Sequence, residues 1–247
     1  HLSEASLGLN NCEVSGNSGS GGGIYNRYGT VNATDTTISG NGGLGIQNAG
    51  SVTLTNCTVA GNLAGGLFNN GLLNLTNCTV TGNVGTNAGG ITNRYGIAIL
   101  RNCTITDNTS GKGGVYNLGT TTLTNVVVAG NRNTSSTPTD LTGSNTFLGS
   151  NNLIGPGGSA NFTNGKGGNI VLSAGDFVGL GTLGDYGGPV LTIPLLPGSP
   201  ALNVGTPAGT PTTDARGKSR VGGVDIGAFE RQGFTIAVAG GDDQITR

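Results

Sequence analysis

Short alternations of apolar and polar residues recur through the first half of the chain, each only a few residues long and bounded by Asn, Asp or Gly. Val52 and Leu54 share parity in Ser51-Val52-Thr53-Leu54-Thr55, as do Leu73 and Leu75 in Leu72-Leu73-Asn74-Leu75-Thr76. A period of two is the signature of a strand with one buried face. Each such stretch leads into the pattern Asn-Cys-x-Val-x-Gly-Asn, whose copies occupy residues 11 to 17, 35 to 41, 56 to 62, 77 to 83, 102 to 108 and 125 to 131. The closing asparagines, Asn17, Asn41, Asn62, Asn83, Asn108 and Asn131, follow one another at steps of 24, 21, 21, 25 and 23 residues. A further pattern, Gly-Ile-x-Asn, keeps the same phase at Gly23 to Asn26, Gly45 to Asn48, Gly66 to Asn69, Gly90 to Asn93 and Gly114 to Asn117.

Three short strands in a repeat of 21 to 25 residues leave no room for a crossover helix. Parallel sheets must therefore come from coiling the chain about one axis. The expected fold is all-β, a right-handed parallel β-helix with three strands per coil and an irregular C-terminal cap. Inward positions fix where the corners lie. Leu54 and Cys57 both belong inside, yet they are three residues apart, which straight alternation forbids. A bend at Asn56 resolves this, and the same reasoning puts bends at Asn11, Asp35, Asn77, Asn102 and Asn125, where stacked amides are expected to bond from coil to coil. Gly40, Gly61, Gly82 and Gly130 suit backbone conformations that other residues disfavour.

Organisation changes along the chain. Regular coils are expected over residues 1 to 131 and looser coils over 132 to 185. A Pro/Gly-rich cap follows over 186 to 231, then a linker or the start of a truncated domain over 232 to 247. The charged residues Asp214, Arg216, Lys218, Arg220, Asp225, Glu230 and Arg231 are expected to form an ion-paired cap that closes the end of the solenoid. At the other end, Leu7 to Cys12 already match the middle of a coil. Earlier coils, or another chain covering that edge, are expected there.

Composition narrows the function. Only 9% of residues are charged and 4% aromatic, there are 50 glycines, and 11 basic residues stand against 12 acidic ones, giving a net charge of -1. No basic excess supplies the footprint of nucleic-acid binding, and no apolar run is long enough to span a membrane as a helix. Cys12, Cys57, Cys78 and Cys103 share one column, with Thr36 and Val126 filling it in other coils. They read as small buried hydrophobes; neighbouring pairs lie within disulfide reach, although parallel side chains make the torsion awkward. No Cys-x-x-Cys pair supports zinc.

Candidate chemistry is thin. Residues 1 to 131 hold only Glu4, Glu13, Asp35 and Asp107 as acids, with no paired carboxylates for hydrolysis or lysis. His1 is the only histidine and sits at the terminus, which leaves a nucleophile without a base. No catalytic, cofactor or metal residues are assigned. Two Asn-Arg-Tyr triplets mark Arg27, Tyr28, Arg94 and Tyr95 as candidate glycan-binding residues.

The C-terminal third carries a resemblance. Gly168-Asn169-Ile170, Leu183-Gly184-Asp185-Tyr186-Gly187-Gly188-Pro189, Leu195 to Ala201, Asp214-Ala215-Arg216-Gly217 and Val224 to Glu230 together resemble the tail of bacterial choice-of-anchor Q proteins. Gly22-Gly23-Ile24-Tyr25-Asn26 is similar to repeats of polymorphic outer-membrane proteins and other pectate-lyase-like β-helices. The resemblance covers about residues 11 to 231, with Ile193-Pro194 standing where the family often has His-Ala. It implies export to the surface or exterior and supplies no catalytic residues. Residues 233 to 247 look like the first strand of a bacterial immunoglobulin-like domain. The expectation is a noncatalytic, secreted or cell-surface structural protein that self-associates through its coil ends into a filament or layer. A glycan-binding adhesin and a polysaccharide lyase or hydrolase are the alternatives.

Overall fold

The computed structural model describes residues 4–19 and 21–232. Within them the chain forms a parallel β-helix whose coils run through three sheets in turn. Sheet A takes the Gly-Ile-x-Asn strands, from Ile24–Asn26 through Leu67–Asn69 to Leu141–Gly143. Sheet B takes the alternating strands, from Ser6–Asn10 to Phe147–Ser150, and sheet C those after the bend, from Glu13–Ser15 to Ile170–Val171. The sheets have six, seven and eight strands, so six coils are complete. Every pairing in the three sheets is parallel and in register with the sequence repeat: Leu72 opposes Ser51, Thr79 opposes Thr58, and Ile91 opposes Leu67. No described helix is long and apolar enough to cross a membrane. The immunoglobulin-like strand expected over 233–247 and His1 lie outside the described residues.

A narrow core results from the inward half of each strand. Ile46, Val52, Leu54, Cys57 and Val59 in one coil are 0 to 1% exposed. Coils are sewn together inside this core by amides. The asparagine closing each motif donates to the next: Asn41 to Asn62 at 2.8 Å, Asn62 to Asn83 at 2.8 Å, Asn83 to Asn108 at 2.9 Å and Asn108 to Asn131 at 2.9 Å. Each also accepts from the backbone N–H of its predecessor, so one side chain serves donors and acceptors in several coils. Asp140 ends the row by accepting from both the backbone and the amide of Asn131. A carboxylate only accepts, which is what the last position needs. A second ladder joins Asn26, Asn48, Asn69, Asn93 and Asn117 at 2.7 to 3.4 Å.

The bends fall where parity demanded. Asn11, Asp35, Asn56, Asn77, Asn102 and Asn125 all have φ between 49° and 54°, the left-handed region that Asn and Asp tolerate best. The expected amide stack there is a correction. Only Asn56 to Asp35 at 3.0 Å and Asn77 to Asn56 at 3.1 Å bond from coil to coil. The Asn102 amide has no hydrogen-bond partner among the described residues. Asn125 turns instead to the C-terminal tail, donating to the Thr206 carbonyl, and Asn77 also donates there, to the Thr213 carbonyl. The continuous ladders belong to the two buried columns, where no competing chain passes.

The tail's position is also a correction. It is irregular, as its composition implies, but its contacts lie along the side of the solenoid. Leu191 accepts from Thr58, Thr213 from Asn77, and Ala228 donates to Thr104, three different coils. The physical reason is a second apolar face. Val127, Ala129 and Leu153 point out of sheet C and form a cluster with Leu195, Ala201 and Ile226 of the tail. Residues 155–172 close the C-terminal end instead: Phe162 packs against Phe147 with ring centroids 6.3 Å apart, and Asn169 accepts from Asn152 at 2.9 Å.

Candidate functional site

Four places hold chemistry that the core does not consume. The first is the corner between sheets A and B. The ladder asparagines Asn26 and Asn93 end their sheet A strands, so Arg27-Tyr28 and Arg94-Tyr95 emerge on the same corner, three coils or about 14 Å apart. The coils between turn there on Ala49-Gly50 and Asn70-Gly71. Tyr28 is 59% and Tyr95 71% exposed, and each ring carries its neighbouring guanidinium at 5.1 and 4.9 Å. The structure thus aligns the two predicted pairs without joining them into one pocket.

The second place is the outward face of sheet A, which the sequence reading passed over. The variable position of Gly-Ile-x-Asn points outward in each coil. Register aligns Tyr25, Gln47, Phe68, Thr92 and Tyr116 into one column along the axis. Aromatic residues therefore recur at every second coil. Two adjoining grooves of about 280 and 300 Å³ flank the column and share Phe68, Asn87 and Thr92. Arg94 lines one of them, and Lys112 sits 5.6 Å from the Tyr116 ring centroid. The signal was present in the x position of the repeat, but alternation by coil is visible only when the coils are stacked.

Under the tail lies the third place, a cleft of about 520 Å³ between Leu183 and Leu191 and the outward face of sheet C. Thr37, Thr58 and Thr81 line its floor, and Asp107 stands at its edge. Asp107 occupies a motif glycine position with φ of 55°. Partial burial raises its carboxyl, with the Arg132 charge opposing. One carboxyl does not make an acid/base pair.

The fourth place is the charged cluster of the tail. Arg216 reaches Asp214 at 2.7 Å, stacks 3.6 Å from the Phe229 ring centroid and donates to the Glu230 carbonyl at 2.6 Å. Arg220 pairs with Glu230 at 2.9 Å and donates to the Asn77 side chain at 3.0 Å. Asp214 and Glu230 are fully buried. Burial raises the carboxyls of Asp225 and Glu230, and their hydrogen bonds and the Arg220 charge oppose it. The cluster is spent on docking the tail, since Arg220 bridges tail and bend.

The cysteines stand as free thiols, Cys57, Cys78 and Cys103 buried and Cys12 half-buried. The Cys78 neighbour and burial push the Cys57 thiol far up, and burial does the same for Cys78. A thiol so disfavoured as thiolate is a poor nucleophile. Among the described residues no three His, Cys, Asp or Glu side chains gather as a metal site. Against known proteins, no family model, curated protein or solved structure matches the chain.

Proposed function

We propose that this chain is a noncatalytic structural solenoid of the cell exterior, a stiff spacer or subunit of a surface assembly. The observation that carries the reading is the pair of buried amide ladders. They commit a fully buried side chain in coil after coil to coil-to-coil cohesion, which suits a stiff rod. The brace adds to it, because buried ion pairs and an apolar cluster lock the tail along the coils. The tail motifs that resemble choice-of-anchor Q proteins, among them Asp214-Ala215-Arg216-Gly217 and Val224 to Glu230, supply those same brace contacts, and that resemblance supports display outside the cell. Self-association belongs to the same reading. The sheets run along one axis, and strand edges at the end of such a stack pair readily with another chain.

The test is to incubate the full chain with acidic and neutral glycans, with and without calcium, while sedimentation is followed across concentration. No product and a concentration-dependent rise in mass are expected. Released oligosaccharide would replace the reading with a lyase or hydrolase, and a mass that stays monomeric would remove self-association. The exposed Tyr28 and Tyr95 favour an adhesin as the second reading. Tyr28→Ala and Tyr95→Ala should then abolish binding on a glycan array.

A further inference from the structure

The outward face of sheet A combines features that none of the other surfaces has together. Its aromatic rings stand in one column, Phe68 and Tyr116 being separated by Thr92 in the coil between them. Two coils advance roughly 10 Å along the axis. That matches the length of a disaccharide unit in an extended polysaccharide, so successive rings meet equivalent sugars. Phe68 and Tyr116 are half-buried. Aromatic faces carry negative charge density and attract the polarised C–H groups of a sugar ring. Beside the rings lie groups suited to hydroxyls: no hydrogen bond joins the Gln47 or Asn87 side chain to another described residue, while Thr92 between them is buried and its hydroxyl accepts from the Ala88 N–H.

Charge decides the kind of glycan. Arg94 and Lys112 stand on this side, and the ion pairs formed among the described residues involve neither of them. The acids in the turns leading into sheet A lie elsewhere: Asp107 borders the cleft under the tail, and Asp140 is buried at the end of the amide ladder. A chain with a net charge of -1 thus carries a locally cationic stripe beside a stacking surface. A neutral glycan would leave that stripe unused, and an acidic peptide would leave the ring spacing without purpose.

We propose that the outward face of sheet A binds an acidic polysaccharide lying along the solenoid axis. Its sugar rings stack on Phe68 and Tyr116, and its acid groups meet Arg94 and Lys112. The proposal goes beyond the structural reading and does not depend on it. It also differs from the Tyr28 and Tyr95 corner in naming another surface.

The experiment measures binding of the full chain to alginate and hyaluronan oligosaccharides by calorimetry, with cellohexaose and polyglutamate as comparison ligands. At least one acidic glycan should bind, weakening with salt, and cellohexaose and polyglutamate should bind at least about tenfold more weakly. Phe68→Ala and Tyr116→Ala should each weaken the acidic glycan by about tenfold, and Arg94→Gln with Lys112→Gln should do the same while flattening the salt dependence. Both sites are exposed, and because Arg94 also stacks on Tyr95, this variant decides the matter together with unchanged binding in Tyr28→Ala and Tyr95→Ala, even if the aromatic variants fold poorly. Failure of both acidic glycans to bind, equal binding of polyglutamate, or unchanged affinity in the charge variant overturns the proposal. Loss confined to Tyr28→Ala or Tyr95→Ala moves the site to the corner and overturns it equally.

Discussion

At the scale of single residues, two asparagines that look alike in the repeat do opposite work. Asn83 accepts from the backbone and amide of Asn62 and donates to Asn108 and to the Val59 carbonyl, all without access to water. Asn83→Ala strands several buried polar groups, each costing about 1 to 3 kcal/mol. The variant should lose at least about 3 kcal/mol in chemical denaturation, or fail to fold. Asn102 makes no side-chain hydrogen bond among the described residues and sits at φ of 49°, where glycine is at ease. Asn102→Gly should change stability by less than about 1 kcal/mol. Cysteine behaviour follows from the same burial. In the native protein a thiol reagent should modify only Cys12, and the remaining three should react after unfolding; rapid native labelling of all 4 would refute the buried column.

For the elements, the tail brace is where the energetics concentrate. Arg220 and Glu230 have side chains 4% and 0% exposed, so removing one partner leaves an uncompensated buried charge. Arg220→Met should cost about 3 to 5 kcal/mol and expose residues 186–231 to proteolysis, read as early cleavage in a time course. Arg220→Met combined with Glu230→Leu should recover much of that loss, since well-packed apolar replacements of a buried pair are often tolerated. The sequence foresaw that these charges pair, and it misplaced the surface they serve. Its missed signal was Val126-Val127-Val128-Ala129, where the Thr-Val-Thr alternation of earlier coils gives way to an unbroken apolar run. A strand buried on both faces reads that way. Here the second face belongs to the tail.

Over the whole molecule, the carboxyls raised by burial contribute more to stability at lower pH. Burial raises the carboxyls of Asp107, Asp140, Asp225 and Glu230 above their unfolded values of 3.8 for Asp and 4.5 for Glu. Between those values and the raised ones the folded state holds more protons than the unfolded chain, so stability falls as pH rises through that window. The stabilisation is fully present below the unfolded values and lost above the folded ones. Thermal midpoints should therefore rise as pH falls from neutral toward the unfolded values. A midpoint that drops on acidification would show that the Arg220 and Asn131 contacts outweigh desolvation in these carboxyls.

What the sequence determined by itself is the coil. A repeat of 21 to 25 residues with three short strand-like stretches points to coiling as the way to bury its apolar positions, and parity alone located one bend per coil, at Asn11, Asp35, Asn56, Asn77, Asn102 and Asn125. These are local properties, carried by spacing within one repeat. Tertiary structure decided which columns became hydrogen-bonded ladders, where the tail lies, and which outward positions fall in line. Each depends on neighbours that are distant in the chain: Asn77 meets Arg220, Thr58 meets Leu191, and Phe68 stands two coils from Tyr116. The candidate binding face was illegible for the same reason. Its aromatics are 48 residues apart in sequence and become one surface only when the coils stack.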